Sequence, residues 1–230
     1  MDRVGQQRGT PRVNGLSRYW PSLLAAHTNL RDRLAELYDE PHRSYHNRKH
    51  LLEVLERIDL MLADLRLEAE PDTELDRDAV LLAAWFHDAV YDTGRNTGHD
   101  VGADNEEQSA TLAERELAAV EAPALLIEEV VRLVRLTKTH QVTGNDLAGQ
   151  VLCDADLAIL AADEQRYRAY THGVRREYAH VSDENFRKGR ARILRDLLAM
   201  PTLFNTSFAK QHWENLARTN VERELIELEA

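Results

Sequence analysis

The sequence predicts an all-α fold. Apolar residues recur at helical spacing along most of the chain, and Pro and Gly stand between the periodic stretches rather than inside them. No window sustains the period-two alternation of β-branched residues that marks a strand. The expected architecture is a bundle of about eight to nine helices. With 43% hydrophobic residues in 230, the chain has apolar material for a sizeable core.

Met1 to Asn14 mixes Gly, Gln, Arg and Pro without periodicity and reads as a disordered tail, leaving 15–230 as a single helical domain. A first helix is expected from Ser17 to Tyr38, with Leu23, Leu24, Leu30, Leu34 and Leu37 inward and Pro41 closing it. A second is expected from Tyr45 to Leu67, carrying Leu51, Leu55, Ile58, Leu62 and Leu65 on one face. A third runs from Thr73 to Val90. Its stretch Ala79 to Phe86 is apolar on every side, which marks it as the most buried helix.

Asp92 to Asp104, with Gly94, Gly98 and Gly102, reads as a loop long enough to carry function. Helices then follow from Asn105 to Val120, from Pro123 to His140, from Asp146 to Leu160 and from Glu164 to Ala179. The last two are expected from Ser182 to Met200, where Pro201 stops the helix, and from Phe208 to Leu228. No repeat or linker forces a boundary, although the last two or three helices could form an appended subdomain.

Charge and composition exclude several classes. Lys and Arg total 29 against 40 Asp and Glu, a net charge of −11, so neither DNA nor RNA nor an anionic membrane surface is an expected partner. A small phosphorylated substrate stays compatible, because a site can be locally positive. The longest apolar run, Ala79 to Phe86, is too short for a membrane span, and the first twenty residues lack an apolar signal core. Cys153 is the only cysteine, which rules out an internal disulfide and a thiolate zinc cage. The expectation is a cytoplasmic protein.

Ten histidines are the unusual part of the composition. His46 and His50 lie four apart in Tyr45-His46-Asn47-Arg48-Lys49-His50, so a helix would point both the same way. His87-Asp88 ends the apolar helix. Two polar side chains are costly to bury there without partners, and a divalent cation satisfies both. Further ligands must come from elsewhere, with His50 and one of Asp154 or Asp156 as the natural candidates. The two aspartates would face different sides of a helix.

A histidine, then His-Asp, then a later aspartate on successive helices resembles the signature of the HD superfamily of metal-dependent phosphohydrolases. Tyr-His-Asn-x-x-His is similar to a motif of cyclic-nucleotide phosphodiesterases. Phe86-His87-Asp88, Asn105-Glu106-Glu107 with Ser109-Ala110, and Asp154-Ala155-Asp156-Leu157 resemble a bacterial group of HD phosphohydrolases of this length. The resemblance extends from Ser17 to the C-terminus.

It implies one divalent ion per chain (Mn, Co, Ni, Fe, Zn or Mg) held by His50, His87, Asp88 and Asp156. It implies hydrolysis of a phosphate ester in a nucleotide or similar small metabolite. His46 would be the general acid, a role that suits an imidazole near neutral pH. Asp88 would also orient the attacking water. Of Glu106 and Glu107, both in a first helical turn, Glu107 is the choice for a base or water-positioning group near the metal, although a first-turn carboxylate is favoured by the helix dipole alone.

His140 is open between a substrate or ligand role and a plain helix end, and His99 between a substrate contact and a solvated loop. Arg190 is the expected phosphate contact among Arg175, Arg176, Lys188, Arg190 and Arg192, whose charges could equally be solvated. Trp85 and Trp213 read as core, and Tyr45 and Asn47 as shapers of the helix start. A long amphipathic C-terminal helix could support a homodimer. Two alternatives stand: a di-iron oxygenase-type enzyme using His140 and Glu107 as extra ligands, and an inactive nucleotide-binding module.

Overall fold

A computed structural model describes residues 15–68, 76–94 and 104–230. Among these, every regular element is helical. His99, the 1–14 segment and most of the glycine-containing loop lie outside the described residues.

The expected first helix is broken. Two short 3-10 turns, η1 (Leu16–Tyr19) and η2 (Ser22–Leu24), precede helix α1 (Thr28–Leu37). Pro21 explains the break: it pushes the preceding Trp20 into extended backbone, at ψ 125°. The Trp20 indole then donates to the Leu24 carbonyl at 2.8 Å. As a result Leu23, expected inward, is 44% exposed, whereas Leu24, Leu30 and Leu34 are buried.

Helix α2 (Arg48–Glu68) begins three residues later than its periodicity suggests. The backbone N–H groups of Ser44, Tyr45 and His46 are taken by a distant carboxylate, Glu177, so those residues do not join the helix. Asn47 starts it instead, its side-chain oxygen accepting from Lys49 N at 2.9 Å.

Helix α3 (Arg77–Phe86) is shorter than expected at both ends. Asp76 caps its start, accepting from Ala79 N. At its end the backbone peels away, and the buried guanidinium of Arg43 collects the carbonyls of Asp88, Ala89 and His46 at 2.6, 3.0 and 3.1 Å. One fixed cation therefore satisfies carbonyls of the turn just beyond α3 and of the segment before α2. Every residue of Ala79 to Phe86 is fully buried, as the sequence indicated.

Helices α4 (Asn105–Ala119) and α5 (Ala124–Leu136) form an antiparallel pair against α3. The chain leaves α5 four residues before His140, which takes left-handed backbone at φ 54°. Helix α6 (Leu147–Leu157) tightens into a 3-10 turn, η3 (Ala158–Ala161). Helices α7 (Glu164–Glu177) and α8 (Asp183–Ala199) follow, capped by Asp163 and Ser182. The expected last helix is two, α9 (Ser207–His212) and α10 (Glu214–Glu229), separated at Trp213. Helix α3 packs on α2, α4, α5 and α6, and one apolar cluster runs from Leu16 to Val221, including Ala209 of α9 and Ala217 of α10. No helix among the described residues is long and apolar enough to cross a membrane.

Candidate metal centre

Three helix ends converge on one point: the first turn of α2 brings His50, the end of α3 brings His87 and Asp88, and the last turn of α6 brings Asp156. His50 Nε2 and His87 Nε2 approach to 3.2 Å. Asp88 Oδ2 lies 3.3 Å from the first nitrogen and 3.1 Å from the second. These three residues offer ligand atoms all within 4.8 Å of one another, a group that could hold a metal ion. Asp156 Oδ1 joins from α6, 3.2 Å from His50 Nε2 and 3.6 Å from His87 Nε2.

The tautomer of His87 is set from behind. Its Nδ1 donates to the Ala84 carbonyl at 2.8 Å, one turn back on α3, so Nε2 is the nitrogen turned to the cluster. Both histidines are 2% exposed. Burial opposes charge on every member, but opposite charges win. Asp88 and Asp156 are held well below the usual carboxylate range by the facing histidines, and His50 and His87 are held above the usual imidazole value by the facing carboxylates.

Asp156 has a second partner. His140 Nε2 meets its other oxygen at 2.9 Å. Few non-glycine residues adopt the backbone of His140, and here it accompanies a bond to a residue of the cluster. Asp154 does a different job. Fully buried, it accepts from the N–H of Asn205 and Thr206, the Asn205 amide and the Thr206 hydroxyl, tying α6 to the cap of α9. Asp156, and not Asp154, is the aspartate that faces the histidines.

His46 sits beside this cluster, its ring centroid 5.7 Å from that of His50. Its orientation is imposed by Glu177, which the sequence analysis did not single out. Glu177 Oε1 accepts from the N–H groups of Ser44, Tyr45 and His46 at 2.8, 2.7 and 2.9 Å. Its Oε2 accepts from His46 Nδ1 at 2.7 Å and from the Tyr91 hydroxyl at 3.0 Å. The Tyr91 ring stacks on His46 at 4.2 Å. Burial pushes the Glu177 carboxyl up, yet His46 and the backbone donors hold it below its usual value. Gly173, one turn earlier on α7, allows this approach: a Cβ there would lie 2.9 Å from the Tyr45 Cβ.

A signal for Glu177 exists in the sequence. It continues the buried stripe Tyr167, Tyr170, Val174 at helical spacing, and a glutamate on an apolar stripe needs a partner. Tyr45 packs against the rings of His46, His50 and Tyr170. Its hydroxyl is the buried side-chain polar atom left without a hydrogen-bond partner among the described residues, and burial raises its pKa well above the usual phenol, so it is a neutral donor.

Two expected site residues are placed elsewhere. Glu107 is half exposed and both its oxygens are held by Arg135 at 2.7 Å, because α4 and α5 run side by side and present these charges to solvent. Arg190 is committed to Glu224 at 2.7 Å and to the Tyr170 hydroxyl at 2.7 Å, bridging α8, α10 and α7. Its guanidinium supports Tyr170, which supports Tyr45, and does not reach the cluster. Lys188 and Arg192 pair within α8, and Arg175 pairs with Asp183. Trp85 is fully buried and Trp213 packs on Phe204. No family model matches the chain, and no curated protein or solved structure matches it.

Proposed function

We propose that the chain is a metal-dependent phosphohydrolase acting on the phosphate ester of a small metabolite such as a nucleotide, in keeping with the resemblance of its motifs to the HD superfamily. The observation that carries this reading is the 3.2 Å approach of two buried imidazole nitrogens, flanked by two carboxylates. A proton between the nitrogens would leave two carboxylates facing little positive charge. A divalent ion matches both nitrogens and both oxygens, and the mixed set suits Mn, Co, Ni, Fe, Zn or Mg.

His50, His87, Asp88 and Asp156 would hold one ion. When bound, such an ion supplies Lewis acidity toward a phosphoryl oxygen and a nucleophile from water at neutral pH. The chain's own residues do the rest. Asp88 has one oxygen outside its contacts with the histidines, which serves to orient the attacking water. His46 donates a proton to the departing oxygen from Nε2, because Nδ1 is committed to Glu177. Tyr91 stacks on the same ring and limits its rotation.

The di-iron alternative requires extra ligands. His140 contacts Asp156, but Glu107 is paired with Arg135, so that set is less complete. The inactive-module alternative gives no role to a buried glutamate that fixes the His46 tautomer. The test is phosphate release from a panel of phosphomonoesters and phosphodiesters with Mn, Co, Ni and Mg, comparing the wild type with His46→Ala. Release by the wild type and at least about a hundredfold loss in the variant support the reading. Tight nucleotide binding without any product would move the assignment to the binding module.

A further inference from the structure

Beside the cluster lies a second feature that none of the motifs announces. A cleft of about 30 Å³ is walled by His50, Glu53, Val54 and Arg57 of α2, by Ala155 and Asp156 of α6, by Ala158 and Ile159 of η3, and by Ala162 and Arg166. His50, Val54 and Arg57 follow one another at helical spacing, so a single stripe of α2 leads from a cluster histidine to a cation. Arg166 reaches in from α7. Its Nε and one terminal nitrogen hold Glu53 at 2.8 and 2.5 Å, while the other terminal nitrogen makes no hydrogen bond among the described residues.

Arg57 is exposed and makes no ion pair among the described residues; its guanidinium rests 5.8 Å from the Trp213 ring centroid. Lys49 approaches the same Glu53 at 3.8 Å. The wall carboxylates are already taken up, Glu53 by Arg166 and Lys49 and Asp156 by His50 and His140, which leaves Arg57 as a cation of the cleft without an ion pair among the described residues. Val54, Ala155, Ala158, Ile159 and Ala162 supply the apolar part of the wall between these charges.

We propose that this cleft is a phosphoryl-anchoring subsite, with Arg57 and Arg166 as its cations, and that it selects the dianionic terminal phosphate of a monoester over the bridging phosphate of a diester. The size fits. About 30 Å³ is roughly two to three times what one water needs, which suits a single small anionic group. Guanidinium forks match phosphate oxygens, and the free nitrogen of Arg166 together with Arg57 supplies donors that protein carboxylates do not consume. The Tyr45 ring lies 5.5 Å under the Arg166 guanidinium and supports it from the protein side. The inference rests on the phosphohydrolase reading, whose ligands form part of the cleft wall.

The test is calorimetric titration of the full chain with inorganic phosphate at mildly alkaline pH, after loading with manganese, with metal content measured on every sample. Arg57→Ala and Arg166→Lys are expected to weaken phosphate binding about tenfold or more at unchanged metal content. Arg192→Ala, an exposed residue of α8, is expected to leave it unchanged. Dimethyl phosphate, a monoanion, is expected to bind at least about tenfold more weakly than inorganic phosphate. Equal phosphate affinity in Arg57→Ala and wild type overturns the subsite, and equal affinity for dimethyl phosphate overturns its selectivity. If the chain takes up no metal, the phosphohydrolase reading fails on its own. The same titration of the metal-free chain then decides the cleft: weaker binding that disappears in Arg57→Ala supports it, and no binding overturns it.

Discussion

Glu177 holds His46 through both backbone and ring: one carboxylate oxygen accepts from the His46 N–H at 2.9 Å and the other from its Nδ1 at 2.7 Å. The two residues are 131 apart in sequence, so the orientation of the His46 ring, in a segment before α2, is dictated from the end of α7. This divides labour. His87 is oriented by its own helix, whereas His46 is oriented by a long-range contact.

Glu177→Gln is expected to lower phosphate-ester turnover by about 10- to 100-fold at unchanged metal content, because the amide does not fix the same imidazole tautomer. A steady-state assay beside elemental analysis checks this. Equal turnover would show that His46 is not the proton donor.

The same variant carries a pH signature. Glu177 is held below the usual glutamate value of 4.5, so its ionised form stabilises the fold above that value, and the contribution is lost as pH falls through the lower folded value. Denaturant unfolding should show the wild type about 2 kcal/mol more stable than Glu177→Gln near neutrality, with the gap closing below about pH 4.5. A gap that widened on acidification would contradict the ionised carboxylate.

Gly173→Ala places a methyl 2.9 Å from the Tyr45 Cβ and must push α7 away from the Ser44–Tyr45 backbone. The expected cost is about 1–3 kcal/mol in thermal or denaturant unfolding. Turnover should fall as well, since Glu177 moves with the helix. A neutral substitution would mean that α7 can shift without disturbing His46.

Asp154 and Asp156, two residues apart, should fail in different ways. Asp154→Ala removes the acceptor for four donors at the start of α9 and should cost about 3 kcal/mol or more of stability. Asp156→Ala should instead lose metal, and its unfolding midpoint should move less. Tyr45→Phe removes a hydroxyl with no hydrogen-bond partner and should change stability by less than about 1 kcal/mol.

Much of this organisation was legible in the sequence because it is local. Helical periodicity, the Pro and Gly boundaries and the all-apolar run of α3 give the fold class and the order of the helices. His50, His87, Asp88 and Asp156 were nameable because each sits at a helix end in a recognisable motif. The departures have tertiary causes. Helix α2 starts late because Glu177 competes for its first N–H groups, and α3 ends early where Arg43 gathers the carbonyls of the turn that follows it. Nothing in the sequence separates Arg57 and Arg166 from the other arginines; the fold alone places them on one cleft. Arg190 looked available for phosphate because its partner Glu224 lies 34 residues further on, on another helix.

The central claim is that two buried histidines and two aspartates hold one divalent ion. Elemental analysis of the purified chain after loading with Mn, Co, Ni, Fe, Zn or Mg, beside Asp88→Ala treated identically, tests it most directly. The account predicts about one ion per wild-type chain and its loss in the variant. No uptake of any of these metals, or equal uptake by the variant, would contradict it.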